Sequence, residues 1–202
     1  QTLERYKNRL DEVSAELSAL EIEDLVTIRE VVVLLQRMEM VLRIAGEIEA
    51  TIVELGVDGR LIQLQFDEIM GGVSDERRLV ILDYFHEDAG WHLEEALEAL
   101  SDLDTGELLD LTQVAEMLHL PDGASDLDAS LQPRGYRLLS RIPRLPEELI
   151  DHIVARFGNL AKIMRATIDD LDDVDGLDET RARAIKEGLA RLAESSILDR
   201  YS

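Results

Sequence analysis

The 202-residue sequence has no cysteine, few aromatic residues and no long apolar run. The absence of cysteine excludes a disulfide scaffold, a thiol nucleophile, a cysteine-based zinc site and an iron–sulfur cluster, and it fits a reducing, cytoplasmic compartment. The longest apolar run, Val31 to Leu35, has five residues, whereas a membrane-spanning helix needs about 18, so we expect no membrane segment. Because aromatic residues make up only 4% of the chain, the core must consist mainly of aliphatic side chains, which is typical of helical bundles.

Acidic residues outnumber basic residues by 44 to 21, but they are unevenly distributed. Residues 1–133 contain 9 basic and 31 acidic residues, whereas residues 134–202 contain 12 and 13. Within the second part, residues 134–165 carry 7 basic and 3 acidic residues. Salt screens charges beyond about 8 Å, so a local basic face can bind an anion even though the net charge of the chain is −23. The charge therefore disfavours nucleic-acid binding by the first part and leaves it open for the second.

The first part has the apolar spacing of long helices. Six apolar residues follow at steps of three and four: Leu3, Tyr6, Leu10, Val13, Leu17 and Leu20. A second series runs from Leu25 to Leu42, with additional apolar positions that predict burial on more than one side. Gly56 and the Asp58-Gly59 pair are predicted to end this helix. Later apolar clusters of helical length are Leu61–Met70, Leu79–Phe85, Leu93–Leu103 and Leu108–Leu118, with Ser74 and Asp110 as predicted N-caps.

These patterns predict an all-α helical bundle, or spine, over residues 1–120. The apolar series that starts at Leu3 has two interpretations: it packs against the second helix of the same chain, or it joins two copies of the chain. We favour packing, because so short a series is usually satisfied within a bundle. The chain begins at Gln1, directly in this helical pattern, which we interpret as a sign that it is part of a longer protein.

The segment PDGASDLDASLQPRG, residues 121–135, separates the two parts. It is rich in Pro, Gly, Ser and Asp and has no helical period, so it is predicted to be a linker or a long surface loop. The remaining residues, 136–202, are predicted to form a second helical domain.

An internal repeat lies in this second domain. The segments IPRLPEELI, residues 142–150, and VDGLDETRA, residues 174–182, align at an offset of 32 residues. Each has an apolar residue, a turn, a leucine and a helix start, and each lies between two helical segments. The order of helix, turn with an apolar plug and helix, repeated twice, resembles a tandem helix-hairpin-helix domain. In that family glycines on both sides of the apolar residue let the backbone approach a DNA phosphate, which backbone N–H groups bind without reading the base sequence.

The repeat departs from this pattern at three glycine positions. The second turn keeps Gly176 but has Asp178 in place of the second glycine, and its carboxylate is expected to repel phosphate. The first turn has Arg144 and Pro146 at the two positions, and Pro146 is predicted to occupy the first helical position. The candidate DNA-binding residues are those around the two turns: Arg141, Arg144, Leu145, Gly176, Leu177, Asp178, Glu179, Arg181, Arg183 and Lys186. The alternative is that both turns only pack the two repeats together and the basic residues are solvated.

The segments RLLSRIPRLP and RARAIKEGL, together with the long N-terminal helical pattern, resemble the family of DNA-integrity scanning diadenylate cyclases along nearly the whole chain. The resemblance implies an N-terminal cyclase domain that converts ATP to cyclic di-AMP with a divalent metal, Mg or Mn, and that precedes this sequence. It also implies a helical spine and a terminal helix-hairpin-helix domain that binds branched DNA such as recombination junctions. Implied partners are further copies of the chain, in an octamer, and the recombination protein RadA.

We find no catalytic residues and no cofactor site in the sequence itself. The cyclase motif DGA is spelled by residues 122–124, but no strand precedes it, and we interpret the match as chance. A phosphate-binding loop, a HExxH motif and a GxGxxG motif are missing. The leading hypothesis is therefore a DNA-binding and scaffold region of such a cyclase, and the alternative is an acidic module that docks a protein such as RadA with purely structural turns.

Overall fold

The computed structural model describes residues 2–54, 59–85, 92–120 and 126–201, which form eleven helices and no strand. The helices are α1 (Thr2–Glu23), α2 (Ile28–Glu54), α3 (Arg60–Tyr84), α4 (Leu93–Asp102), α5 (Thr105–Leu109), α6 (Leu111–Glu116), α7 (Tyr136–Leu139), α8 (Glu147–Phe157), α9 (Leu160–Arg165), α10 (Ile168–Asp172) and α11 (Glu179–Tyr201). The all-α prediction is confirmed. None of the described helices is both long and apolar enough to cross a membrane.

Helices α1, α2 and α3 pack around one core. Leu3, Leu10 and Leu17 of the α1 series are buried in that core, whereas Tyr6 of the same series is 41% exposed. The series therefore packs within the chain, as predicted. Helix α2 lies at the centre, because apolar residues on several of its sides, from Val31 to Ala45, are buried. Burial on more than one side is thus confirmed for this helix.

Helix α3 is continuous where the sequence predicted two helices. Ser74, predicted as an N-cap, lies inside α3, so that prediction is wrong. The reason is tertiary packing: Val73 and Val80 are buried on the core side and carry the helix through this region. Asp110 does cap a helix, since its carboxylate accepts a hydrogen bond from the N–H of Thr112 at 3.0 Å. It divides the predicted helix Leu108–Leu118 into α5 and α6.

The described part of the predicted linker is tied to the bundle. The N–H groups of Ile28 and Arg29 donate to the carbonyl oxygens of Ala129 and Leu127 at 3.1 and 2.8 Å. The N–H of Leu131 donates to the carbonyl of Val26 at 2.9 Å. The segment is therefore a surface loop held against the start of α2. The DGA match at residues 122–124 and the predicted helix-ending residues 56 and 58 lie outside the described residues, whereas Gly59 is the N-cap residue of α3.

Helices α7 to α11 enclose a second cluster of buried aliphatic side chains, separate from the first. Its members include Ile142 and Val174 from the two aligned segments, together with Ile153 and Ile185 from α8 and α11. This core places the two turns of the sequence repeat in one compact group of helices.

Candidate nucleic-acid interface

The two turns of the repeat adopt the same backbone conformation. The first joins α7 to α8 and the second joins α10 to α11, so the predicted order of helix, turn and helix is found in both copies. Arg144 and Gly176, which are 32 residues apart, both have positive φ angles, of 62° and 86°. A positive φ favours glycine and costs a residue with a side chain about 1–2 kcal/mol. The arginine therefore occupies a glycine-like position, as the alignment predicted.

Each turn closes through the same contacts. The N–H of Ile142 donates to the carbonyl of Leu139 at 3.1 Å, and the N–H of Val174 donates to the carbonyl of Leu171 at 3.0 Å. One leucine follows in each turn, Leu145 in the first and Leu177 in the second, and both are half-buried against the second core. The apolar plugs therefore anchor the turns to the helices behind them.

The two repeats pack reciprocally, each turn against a helix of the other repeat. A Cβ atom at Gly176 would lie 2.7 Å from Leu149 of α8, so the second turn approaches that helix too closely for any side chain. His152 Nδ1 lies 2.9 Å from the carbonyl oxygen of Asp175 in the same turn. In the other direction, a Cβ at Gly188 of α11 would lie 3.0 Å from Ile142 of the first turn. The turns and the helices behind them are therefore interlocked.

The helices after the turns begin differently. Pro146 is the N-cap residue of α8, with φ −65° and ψ 149°, and not its first helical residue as predicted. Its extended ψ angle keeps Pro146 outside the helix, and α8 has no side-chain cap. Asp178 is the corresponding residue before α11, and its Oδ1 accepts a hydrogen bond from the N–H of Arg181 at 2.8 Å. The Asp178 carboxylate therefore occupies a donor that could otherwise bind a phosphate.

The cationic candidates near the turns differ in their partners. Arg144 and Arg181 are exposed, and neither forms an ion pair within the described ranges. Arg183 is also exposed and pairs with Glu179 on the same helix at 3.1 Å. Lys186 is half-buried, and its Nζ donates to the carbonyl of Met164, in the last turn of α9, at 3.0 Å. Arg144 and Arg181 are thus the two candidates with the most freedom to contact an added anion.

The first 127 residues match the family described as the DisA bacterial checkpoint controller linker region. The chain belongs to the DisA linker family. Relatives named DNA integrity scanning protein DisA also align along the whole chain, including both turns. The relative from Kineococcus radiotolerans is 55% identical over 202 residues, which cover 100% of this chain and 56% of the relative. Those from Frankia alni and Streptomyces coelicolor are 55% and 54% identical over 203 residues, 99% of this chain in each case and 56% and 54% of the relatives. The chain thus spans a little more than half the length of these DisA proteins.

Arg141 lies away from the turn tips, against the bundle that this DisA linker family match covers. It borders two cavities, of about 450 and 570 Å³, that both adjoin α1; the larger also adjoins α11. One side of Arg141 is exposed, and on the other side burial, followed by the charge of Arg137, lowers the pKa of its guanidinium. The structure therefore does not group Arg141 with Arg144 and Arg181 at the tips of the turns.

A buried polar network that the sequence did not predict joins α7 to the bundle. We call it the junction network; it consists of Ser14, Glu21, Asp83, Tyr84 and Arg137. The guanidinium of Arg137 pairs with Glu21 and donates to Ser14 Oγ at 3.0 Å. Tyr84 Oη donates to Glu21 at 2.7 Å. Arg137 and Glu21 are only 2% and 3% exposed, so this pair is desolvated. These bonds join helices that are distant in sequence, and no local pattern announces such a contact.

Asp83 completes the junction network by capping the start of α7. Its Oδ1 accepts hydrogen bonds from the N–H groups of Gly135 and Tyr136 at 2.9 and 2.7 Å, and its Oδ2 accepts one from the N–H of Arg137 at 3.1 Å. Burial, and then the charge of Glu21, raises the pKa of Asp83 to about 7, while these N–H donors act in the opposite direction. Burial also raises the pKa of Glu21. The junction network thus holds more negative charge than one arginine neutralises.

The described residues do not fit the metal and ATP that the family resemblance implies for a cyclase. In the described parts of the chain, no group of three or more His, Asp or Glu side chains could hold a metal ion. We therefore assign no cofactor chemistry to these helices.

Proposed function

We propose that this chain is the DNA-binding and scaffold region of a DNA-integrity scanning protein. In this proposal residues 136–202 form a tandem helix-hairpin-helix domain that binds branched DNA, and residues 1–120 form the spine that couples it to a diadenylate cyclase domain of the full-length protein. The observation that carries the proposal is the duplicated turn, with Arg144 and Gly176 in the same glycine-like conformation. The names of the relatives support the DNA-related part of it.

Binding is proposed to occur through phosphates and not through bases. The N-terminus of α8 has no side-chain cap, so its first N–H groups and the guanidinium of Arg144 are available to one phosphate. At the second turn Asp178 already caps α11, and Arg181 would supply the contact instead. Such contacts position the backbone without reading sequence, so preference for a junction would come from DNA shape.

The proposal extends to the full-length protein. We propose that its cyclase domain converts ATP to cyclic di-AMP with Mg or Mn, that it assembles as an octamer in the cytoplasm, and that RadA is a partner. The acidic character of residues 1–133, with 31 acidic and 9 basic residues, keeps DNA away from the spine and confines it to the terminal helices.

The proposal is tested by fluorescence anisotropy of a labelled four-way junction and a matched duplex, at several salt concentrations. We expect tighter binding of the junction and a steep loss of affinity with salt, because phosphate contacts release counterions. Arg181→Glu should weaken binding and reduce the salt slope by about 0.9 for each phosphate that the protein no longer neutralises. Arg191→Glu is the matched control, because Arg191 is an exposed arginine of the same helix, 75% exposed and far from the turn. Equal effects of the two substitutions, or no binding at low salt, would contradict the proposal.

A second candidate function is protein docking by the acidic spine. The observation that favours it is the excess of 31 acidic over 9 basic residues in residues 1–133. In this alternative the turns are only structural, and the spine retains a basic partner such as RadA. Retention of purified RadA by a chain that binds no DNA at low salt would support it, and junction binding that depends on Arg181 would count against it.

A further inference from the structure

Arg141 lies between the proposed DNA-binding turn and the junction network. It is four residues after Arg137, so the two arginines lie on the same side of α7 and the turn that follows it. It is also only three residues before Arg144. Among the described residues its guanidinium has no hydrogen-bonded partner, although the carboxylates of Glu21 and Glu76 lie within electrostatic reach.

The surroundings of Arg141 leave it room to move. The cavity of about 450 Å³ separates it from Asp11 and Asp75, and the cavity of about 570 Å³ separates it from α11. Its exposed side faces solvent, where a phosphate can approach. Arg141 is therefore the candidate site residue that borders both solvent and the junction network.

The charge of Arg141 acts on the pair beneath it. Two guanidinium groups four residues apart repel each other, and burial and the neighbouring Arg137 charge both lower the pKa of Arg141. Arg137 in turn is held by a nearly fully buried Glu21 and by Ser14. An anion bound to Arg141 would cancel this repulsion and leave Arg137 free to interact more strongly with Glu21.

We propose that Arg141 transmits DNA binding at the terminal helices to the spine: a phosphate that neutralises Arg141 tightens the Arg137–Glu21 pair and holds α1 and α3 more firmly to α7. The inference rests on the proposed function, because it takes the anion to be a DNA phosphate. It names the residue through which occupancy of that site reaches the bundle. Arg141 is a positioning residue here, since it acts through Arg137.

Hydrogen exchange of the whole 202-residue chain, with and without a saturating four-way junction, tests the inference. The four-way junction should slow exchange of amides in residues 14–21 and 76–84 by roughly twofold to tenfold, the range expected for removing repulsion between partly buried like charges. Arg141→Gln should slow exchange in the same residues without DNA, and adding the four-way junction should then change it little. Arg191→Gln is the control with the same change of charge, and it should behave like the wild type.

The outcomes separate this inference from the proposed function. Anisotropy on the same samples shows whether the four-way junction binds. Binding without slower exchange in residues 14–21 and 76–84 would overturn the inference and leave DNA binding intact, as would an Arg141→Gln variant that exchanges like the wild type without DNA. Absence of binding would overturn the proposed function and this inference together.

Discussion

Removing the charge of Arg137 should destabilise the protein far more than removing a comparable charge at the surface. In Arg137→Met the methionine keeps much of the aliphatic stem, but Glu21 loses its only ion-pair partner in the described residues while remaining about 3% exposed. Removing one member of a buried pair costs about 3–5 kcal/mol, because the remaining charge stays desolvated. For a chain of about this length, 1 kcal/mol lowers the melting temperature by about 2–4 °C, so we expect a decrease of about 6–20 °C.

A thermal unfolding series at neutral pH measures this effect. Arg78→Met is the matched control: Arg78 also links the bundle to the terminal helices, through Glu147 at 2.6 Å, but the two side chains are 37% and 50% exposed. This exposed pair should contribute less than about 1 kcal/mol. The double variant Arg137→Met/Glu21→Gln should recover most of the loss, because glutamine carries no charge and still accepts the hydrogen bond of Tyr84. The reasoning is wrong if Arg137→Met costs no more than Arg78→Met, or if the double variant is no more stable than Arg137→Met.

Three further predictions concern the turns and the cap of α7. Gly176→Ala should lower the free energy of unfolding in urea by more than Gly158→Ala: both glycines have φ near 87°, but only at Gly176 does the added Cβ meet a neighbour, Leu149 at 2.7 Å, and equal losses would contradict the close approach. Asp178→Gly should cost only a few tenths of a kcal/mol in stability and should raise junction affinity in the anisotropy assay. An unchanged affinity would mean that the second turn does not face phosphate. Because burial raises the folded-state pKa of Asp83 from 3.8 to about 7, unfolding releases a proton between these values, so stability should fall as pH rises from about 4 to about 7. Asp83→Asn should flatten that dependence in urea titrations at each pH, and an equal slope in both proteins would show that Asp83 does not titrate there.

The repeat is the part of the terminal helices that the sequence predicts best. Aligning the two segments at an offset of 32 residues places Arg144 opposite Gly176, and both have positive φ. It also places Ile142 opposite Val174, and both are buried. Local spacing is sufficient here because a turn between two helices is determined by residues that are close together in the chain.

Other features depend on contacts that no local pattern records. Ser74 looked like a helix start, yet α3 continues through it because Val73 is buried against distant helices. Arg137 looked like one of several basic residues available to DNA, yet it is buried with Glu21, 116 residues earlier. Arg141 belongs to the predicted site by sequence, but its position against the bundle follows from the packing of α7 on α1 and α3. Such long-range pairings are set by tertiary structure alone.

The reciprocal packing of the turns has a geometric consequence for whatever they hold. Because the second turn rests on α8 and the first rests on α11, the separation between the two turns is set by packed helices and not by a flexible connection. The pair behaves as a rigid gauge with two fixed points. A ligand whose anionic groups match that separation can touch both points with little loss of conformational entropy, whereas one with a different separation can satisfy only one of them. Selection among DNA shapes would then be a measurement of length, made before any base is encountered.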